Sequence, residues 1–128
     1  MSQELNKIKA LFQKLIASEA YPFPEKGQRL DAPNQRGVYI IITNRGSILH
    51  VGNTPRGKNG IHQRLKNHLG GSSSFTKKYL SGDGSKLRKG HSFKCLTVVN
   101  SRHRVLLEAY AIGVLCPRHI GLGWHQNP

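Results

Sequence analysis

Two short apolar runs, Gly37-Val38-Tyr39-Ile40-Ile41-Ile42-Thr43 and Ile48-Leu49-His50-Val51-Gly52, flank the turn-rich quartet Asn44-Arg45-Gly46-Ser47. Apolar runs of this length joined by turn residues read as the two arms of a β-hairpin. A two-residue turn at Arg45-Gly46 pairs Asn44 with Ser47, Ile41 with His50 and Tyr39 with Gly52. Side chains alternate along a strand, so Tyr39, Ile41 and His50 share a face. Tyr39 and His50 are then diagonal neighbours, about 7–8 Å apart. After a loop, Gly60-Ile61-His62-Gln63-Arg64-Leu65-Lys66-Asn67-His68 has a helical pattern. Arg64 and His68 stand four residues apart on it and project from one face. A phenol, two imidazoles and a guanidinium gathered this way make a polar site, with the hairpin at the centre of the protein.

The remaining segments are read around that centre. Leu5, Ile8, Phe12, Leu15 and Ile16 recur at helical spacing over residues 3–19, and Tyr21-Pro22-Phe23-Pro24 ends the helix. Its apolar stripe either packs on the core or binds a partner protein or a second copy of the chain. Residues 25–36 read as a polar linker. Ile61, Leu65 and Leu69 form the buried side of the Arg64 helix, which Gly70-Gly71 terminates. One serine of Ser72-Ser73-Ser74 either caps a short helix through Leu80 or touches phosphate. Residues 81–90 read as a flexible basic loop, and residues 92–99 as a central strand apolar on both faces. A last helix begins at Arg102 or Arg104, runs to about Leu115 and stops at Pro117. The fold class is α/β: a small three-stranded antiparallel or mixed sheet flanked by helices, with an extra N-terminal helix. The organisation is 1–35 N-terminal helix and linker, 36–123 the main domain and 124–128 a tail.

Charge is distributed unevenly. Residues 1–34 carry five Lys/Arg against four Asp/Glu, whereas residues 35–128 carry fifteen against two. A segment this basic repels itself unless it meets a polyanion, so nucleic acid is the expected partner. Arg45, Arg56, Lys58, Lys66, Lys77, Lys78, Arg88 and Lys89 are its candidate contacts. No apolar run approaches the ~18 residues of a membrane span. Two cysteines, Cys95 and Cys116, do not make a disulfide framework, and their spacing matches no zinc pattern. A reducing cytoplasm is the expected location.

Against this background one acid stands out. Glu108 lies in Val105-Leu106-Leu107-Glu108-Ala109-Tyr110-Ala111-Ile112-Gly113-Val114-Leu115, apolar nearly all round. A carboxylate left there costs several kcal/mol unless it meets a cation or a metal. Arg104, one turn earlier, is the structural candidate; a metal is the functional one.

Gly37-Val38-Tyr39, His50-Val51-Gly52, Arg64 with His68 four residues on, and the late Glu108 together resemble the GIY-YIG nuclease family over roughly residues 36–121. The resemblance implies metal-dependent endonuclease action on nucleic acid, DNA favoured over RNA, with Mg²⁺ or Mn²⁺ as cofactor. It implies that Glu108 is the metal ligand, that Arg64 clamps the scissile phosphate and that Tyr39 is the general base. His50 replaces the tyrosine of the second triplet and, titrating near neutrality, assists as base or holds the water. His68 orients Tyr39 or the phosphate. One departure bears on activity: Pro117-Arg118-His119-Ile120 puts Ile120 where many relatives have an asparagine that supports the site, with His119 and Asn127, neither in register, as the candidates to compensate. The alternative reading is a weak or inactive nucleic-acid-binding module.

Overall fold

In the computed structural model, which describes residues 2–54 and 60–120, the elements run α1 (Gln3–Ala17), β1 (Tyr21–Pro22), β2 (Gly37–Ile42), β3 (Ile48–Asn53), α2 (Gly60–Leu69), α3 (Ser74–Tyr79), a 3-10 helix (Gly84–Arg88), β4 (Ser92–Thr97) and α4 (Ser101–Leu115). The strands form an antiparallel sheet in the order β1-β4-β2-β3. Fold class and flanking helices agree with the sequence reading, but the sheet has four strands rather than three. The added strand is the dipeptide Tyr21-Pro22, paired with Phe93 and Ser92. A proline there must occupy an edge, because it cannot donate to the ladder.

The sheet separates two cores. Ile8, Phe12 and Leu15 of α1, with Leu107 and Ala111 of α4, pack on Val38, Ile40 and Val51. Ile61 and Leu65 of α2 and Phe75 of α3 pack on Tyr39, Ile41, Leu49 and Phe93. Alternation along β2 therefore sends Val38 and Ile40 to one core, Tyr39 and Ile41 to the other. The stripe on α1 is spent inside the chain, which is the packing alternative for that helix.

Hairpin geometry decides which residues meet. The loop has three residues, Asn44-Arg45-Gly46, closed by bonds from the Thr43 amide to the Ser47 carbonyl and from the Gly46 amide to the Thr43 carbonyl. Gly46 takes φ +83°, a left-handed conformation that glycine adopts without strain. A three-residue loop alone shifts the pairing by one and turns every side chain to the other face. The shift is cancelled between Ile42↔Ile48 and Ile41↔His50, where Leu49 is an extra, bulged residue of β3. Beyond the bulge Tyr39 lies opposite Gly52, and Tyr39 and His50 return to one face.

Two segments read as loose are anchored. In residues 25–36, Leu30 is buried, and the Gln35 and Pro33 carbonyls accept the Ile61 and His62 amides at the start of α2. Part of the basic loop 81–90 is a 3-10 helix: the Asp83 carboxylate caps the Ser85 amide and Leu87 is fully buried. Helix α4 starts at Ser101, capped by Asn100. Among the described residues no helix is long and apolar enough to cross a membrane.

Candidate active site

Tyr39, His50, Arg64, His68 and Glu108 all line one cavity of about 580 Å³, with Asn53, Phe75, His119 and Ile120 also in its wall. Strand β2 supplies Tyr39, strand β3 His50, helix α2 Arg64 and His68, and helix α4 Glu108. Tyr39 reaches the cavity across its pairing partner. A Cβ on Gly52 would collide with the Tyr39 hydroxyl, so a side chain at 52 would push the phenol out of place.

The inner wall is closed and hydrogen-bonded. Tyr39 and His68 are fully buried. The Tyr39 hydroxyl lies 2.7 Å from His68 Nε2, and His68 Nδ1 lies 2.6 Å from Ser73 Oγ. Ser73, the N-cap of α3, also lies 2.9 Å from Thr76 Oγ1. His50 stacks on Phe75 at a ring separation of 4.9 Å. Its Nδ1 is 2.9 Å from Nδ1 of His119, whose amide donates to the Leu49 carbonyl.

Burial sets the protonation of this wall. It pushes the Tyr39 hydroxyl well above the usual tyrosine range, while the Arg64 charge and hydrogen bond pull the other way. Burial, then His119 and Arg64, pushes His50 down to about 3. Burial, then His50 and Arg64, pushes His68 down to about 2. Both imidazoles are therefore neutral at physiological pH. His50 does not titrate near neutrality as its sequence position suggests, because the packed ring has lost the water that would solvate an imidazolium.

The outer wall is charged. Glu108 accepts from Asn53 Nδ2 at 2.8 Å. Burial raises its pKa, and hydrogen bonds from Asn53 and the Arg64 charge oppose the rise. The structural candidate Arg104 is occupied elsewhere: its Nη1 donates to the Val98 and Val99 carbonyls at 3.1 and 2.6 Å. Glu108 is thus a half-buried carboxylate held by a neutral amide. Among the described residues no group of three His, Cys, Asp or Glu side chains could hold a metal ion. One carboxylate beside a carboxamide is no closed cage, but it fits a hard cation that keeps most of its water and takes further oxygens from phosphate.

The basic residues divide. Arg45, Lys66, Lys77, Lys78 and Lys89 are exposed. Arg88 is half-buried and donates to the Pro24 carbonyl at 2.5 Å. Arg56 and Lys58 lie outside the described residues.

The sequence reading places neither Asn53 nor Thr76 in this site, and it offers His119 only as an out-of-register substitute for the asparagine missing at 120; Asn127, the other substitute, lies outside the described residues. Asn53 directly follows the second triplet, and Ser73 is legible as a cap or a phosphate contact but not as a partner of His68. His119 is one position away from the expected register; an isolated parallel bridge to His50 places it. Ile120 contributes apolar surface to the same cavity.

No family model matches the chain, and no curated protein matches it. Among solved structures, the chain is similar to the GIY-YIG N-terminal endonuclease domain of UvrC from Thermotoga maritima, determined bound to magnesium. The two share 21% identity over 92% of this chain and 97% of that one, with a TM-score of 0.47. A likeness of this size assigns no role to any side chain here.

Proposed function

We propose that the protein is a metal-dependent endonuclease that hydrolyses phosphodiester bonds of nucleic acid, DNA favoured over RNA. The observation that carries the reading is the convergence of Tyr39, Arg64, His68 and Glu108 on one cavity in a chain of net charge +14. The exposed lysines and Arg45 attract the backbone, and Arg64 offers its fork of donors to the scissile phosphate. Glu108, steadied by Asn53, would hold Mg²⁺ or Mn²⁺ on its carboxylate. Such an ion, when bound, supplies charge neutralisation at the phosphate and the leaving oxygen.

The attacking water is activated by relay. Burial disfavours both a standing phenolate at Tyr39 and a standing imidazolium at His68. Tyr39 therefore accepts the water's proton only as it passes its own to His68 Nε2, which holds it transiently and returns it through Tyr39 to solvent once the old P–O bond has broken. The hydroxide forms the new P–O bond and the leaving oxygen departs with the electrons of the old one. Arg64 stabilises the charge that accumulates on the phosphoryl oxygens. The two free cysteines, Cys95 and Cys116, suit a reducing cytoplasm.

One observation favours a second reading, a nucleic-acid-binding module with weak or no cleavage. Tyr39 and His68 have no exposed surface, so water must gain access to the phenol before it can react. Incubation with single-stranded, duplex and branched DNA and with RNA, under Mg²⁺, Mn²⁺ or EDTA, separates the two. Ion-dependent cleavage abolished by EDTA is expected. Binding without cleavage under both ions leaves the module, and absence of binding removes both.

A further inference from the structure

Behind Tyr39 and His68 lies a chain of hydroxyls whose protons can be counted. The Thr76 hydroxyl lies 2.9 Å from the His68 carbonyl oxygen. A carbonyl has no proton to give, so Thr76 is the donor there and its single hydroxyl proton is used. The 2.9 Å contact between Ser73 Oγ and Thr76 Oγ1 is then a hydrogen bond only if Ser73 donates. That uses the proton of Ser73, which also accepts the Thr76 amide at 3.1 Å. With no proton left on Ser73 for the imidazole, the 2.6 Å contact to His68 Nδ1 is a hydrogen bond only if Nδ1 carries the proton.

From this count we infer that Ser73 and Thr76 are positioning residues that fix His68 as the Nδ1-protonated tautomer, leaving Nε2 bare to accept the Tyr39 proton. Every polar atom of the chain is satisfied in this arrangement and in the right sense. The opposite tautomer would set two hydroxyl oxygens against each other with no proton between them, inside a buried wall where an unmade hydrogen bond is costly. An imidazolium would also donate to Ser73, but burial and the nearby Arg64 charge keep His68 neutral in the resting protein, so the charged form is confined to the transfer step. The positioning role rests on the relay proposed above; the tautomer does not.

The test is long-range ¹H–¹⁵N NMR of the histidine rings on the full-length protein. The expected His68 pattern is a protonated Nδ1 and an unprotonated Nε2 near neutral pH; a protonated Nε2 overturns the inference. Thr76→Val keeps the shape and the Ser73 cap but removes the acceptor of the Ser73 proton. Ser73 then turns its hydroxyl to His68 Nδ1, the tautomer reverses, and cleavage falls about 10²-fold as the proton acceptor is lost. Thr76→Ser retains the hydroxyl and restores both signals. A folded Thr76→Val protein with an unchanged tautomer overturns the inference, as does cleavage that falls equally in Thr76→Ser. The expected tautomer in a wild-type protein that cleaves nothing supports the inference and overturns the proposed reaction.

Discussion

The two walls of the cavity are built on opposite terms. On the inner wall Tyr39, His68, Ser73 and Thr76 are buried and neutral, each polar group paired with the next. On the outer wall Glu108, among the described residues, accepts a side-chain hydrogen bond from Asn53, and Arg64 faces the same cavity. A closed network holds atoms in place because every alternative loses a hydrogen bond. Charges that form no salt bridge among the described residues are less tightly held, because burial leaves their desolvation only partly offset.

The largest effect should come from disarming the outer wall. Glu108→Gln keeps volume and the Asn53 contact but loses the charge. Cleavage should drop about 10³-fold, on the order of one lost transition-state contact. Thermal stability should hold or rise, since burial already penalises the ionised carboxylate. A destabilised variant would show that Glu108 belongs to the fold instead. Arg64→Lys, which keeps the charge and loses the fork, should cost about 10²-fold in turnover with the fold intact. Unchanged turnover would move the phosphate clamp elsewhere.

Acid should find the inner wall instead. His50 and His68 are pushed below the ordinary histidine value in the folded protein, so the unfolded chain binds their protons first. Their contribution is fully present above about pH 6.5 and is lost as pH falls toward the folded values, by at most about 2 kcal/mol per histidine between pH 6.5 and 5. Glu108, whose pKa is raised by burial, works in the opposite sense, from the ordinary carboxylate value upward. Denaturant melts at pH 7, 6 and 5 check the sign. A stability that is flat or rises on acidification would mean that the two rings are hydrated.

The smallest effect lies outside both walls. Lys77 and Lys78 are exposed on α3, beside the inner wall. Replacing both with Ala should weaken binding about equally for all sequences and reduce the log–log salt slope by about 2. An unchanged slope would place the nucleic acid on another face.

Several of these features could be read directly from residue order. Alternation and turn residues specify the hairpin, because a half-buried strand has a period of two and little else fits runs so short. The spacing of four puts Arg64 and His68 on one face of any helix that forms. Glu108 stands out because a lone acid in an apolar helix requires a reason. These are local facts, fixed by backbone geometry within a few residues.

Tertiary structure decided the rest. Whether Tyr39 and His50 share a face depended on a three-residue loop and the Leu49 bulge cancelling each other, a balance set by packing on both faces of β3. Asn53 meets Glu108 across 55 positions of sequence and His119 meets His50 across 69. No local pattern encodes such contacts, because they form only when separate elements dock. Protonation was decided in the same way: an imidazole on a strand is near neutrality by composition, but His50 and His68 lose their water to Phe75 and the sheet. Desolvation is a property of the packed interior, and residue order acquires it only on folding.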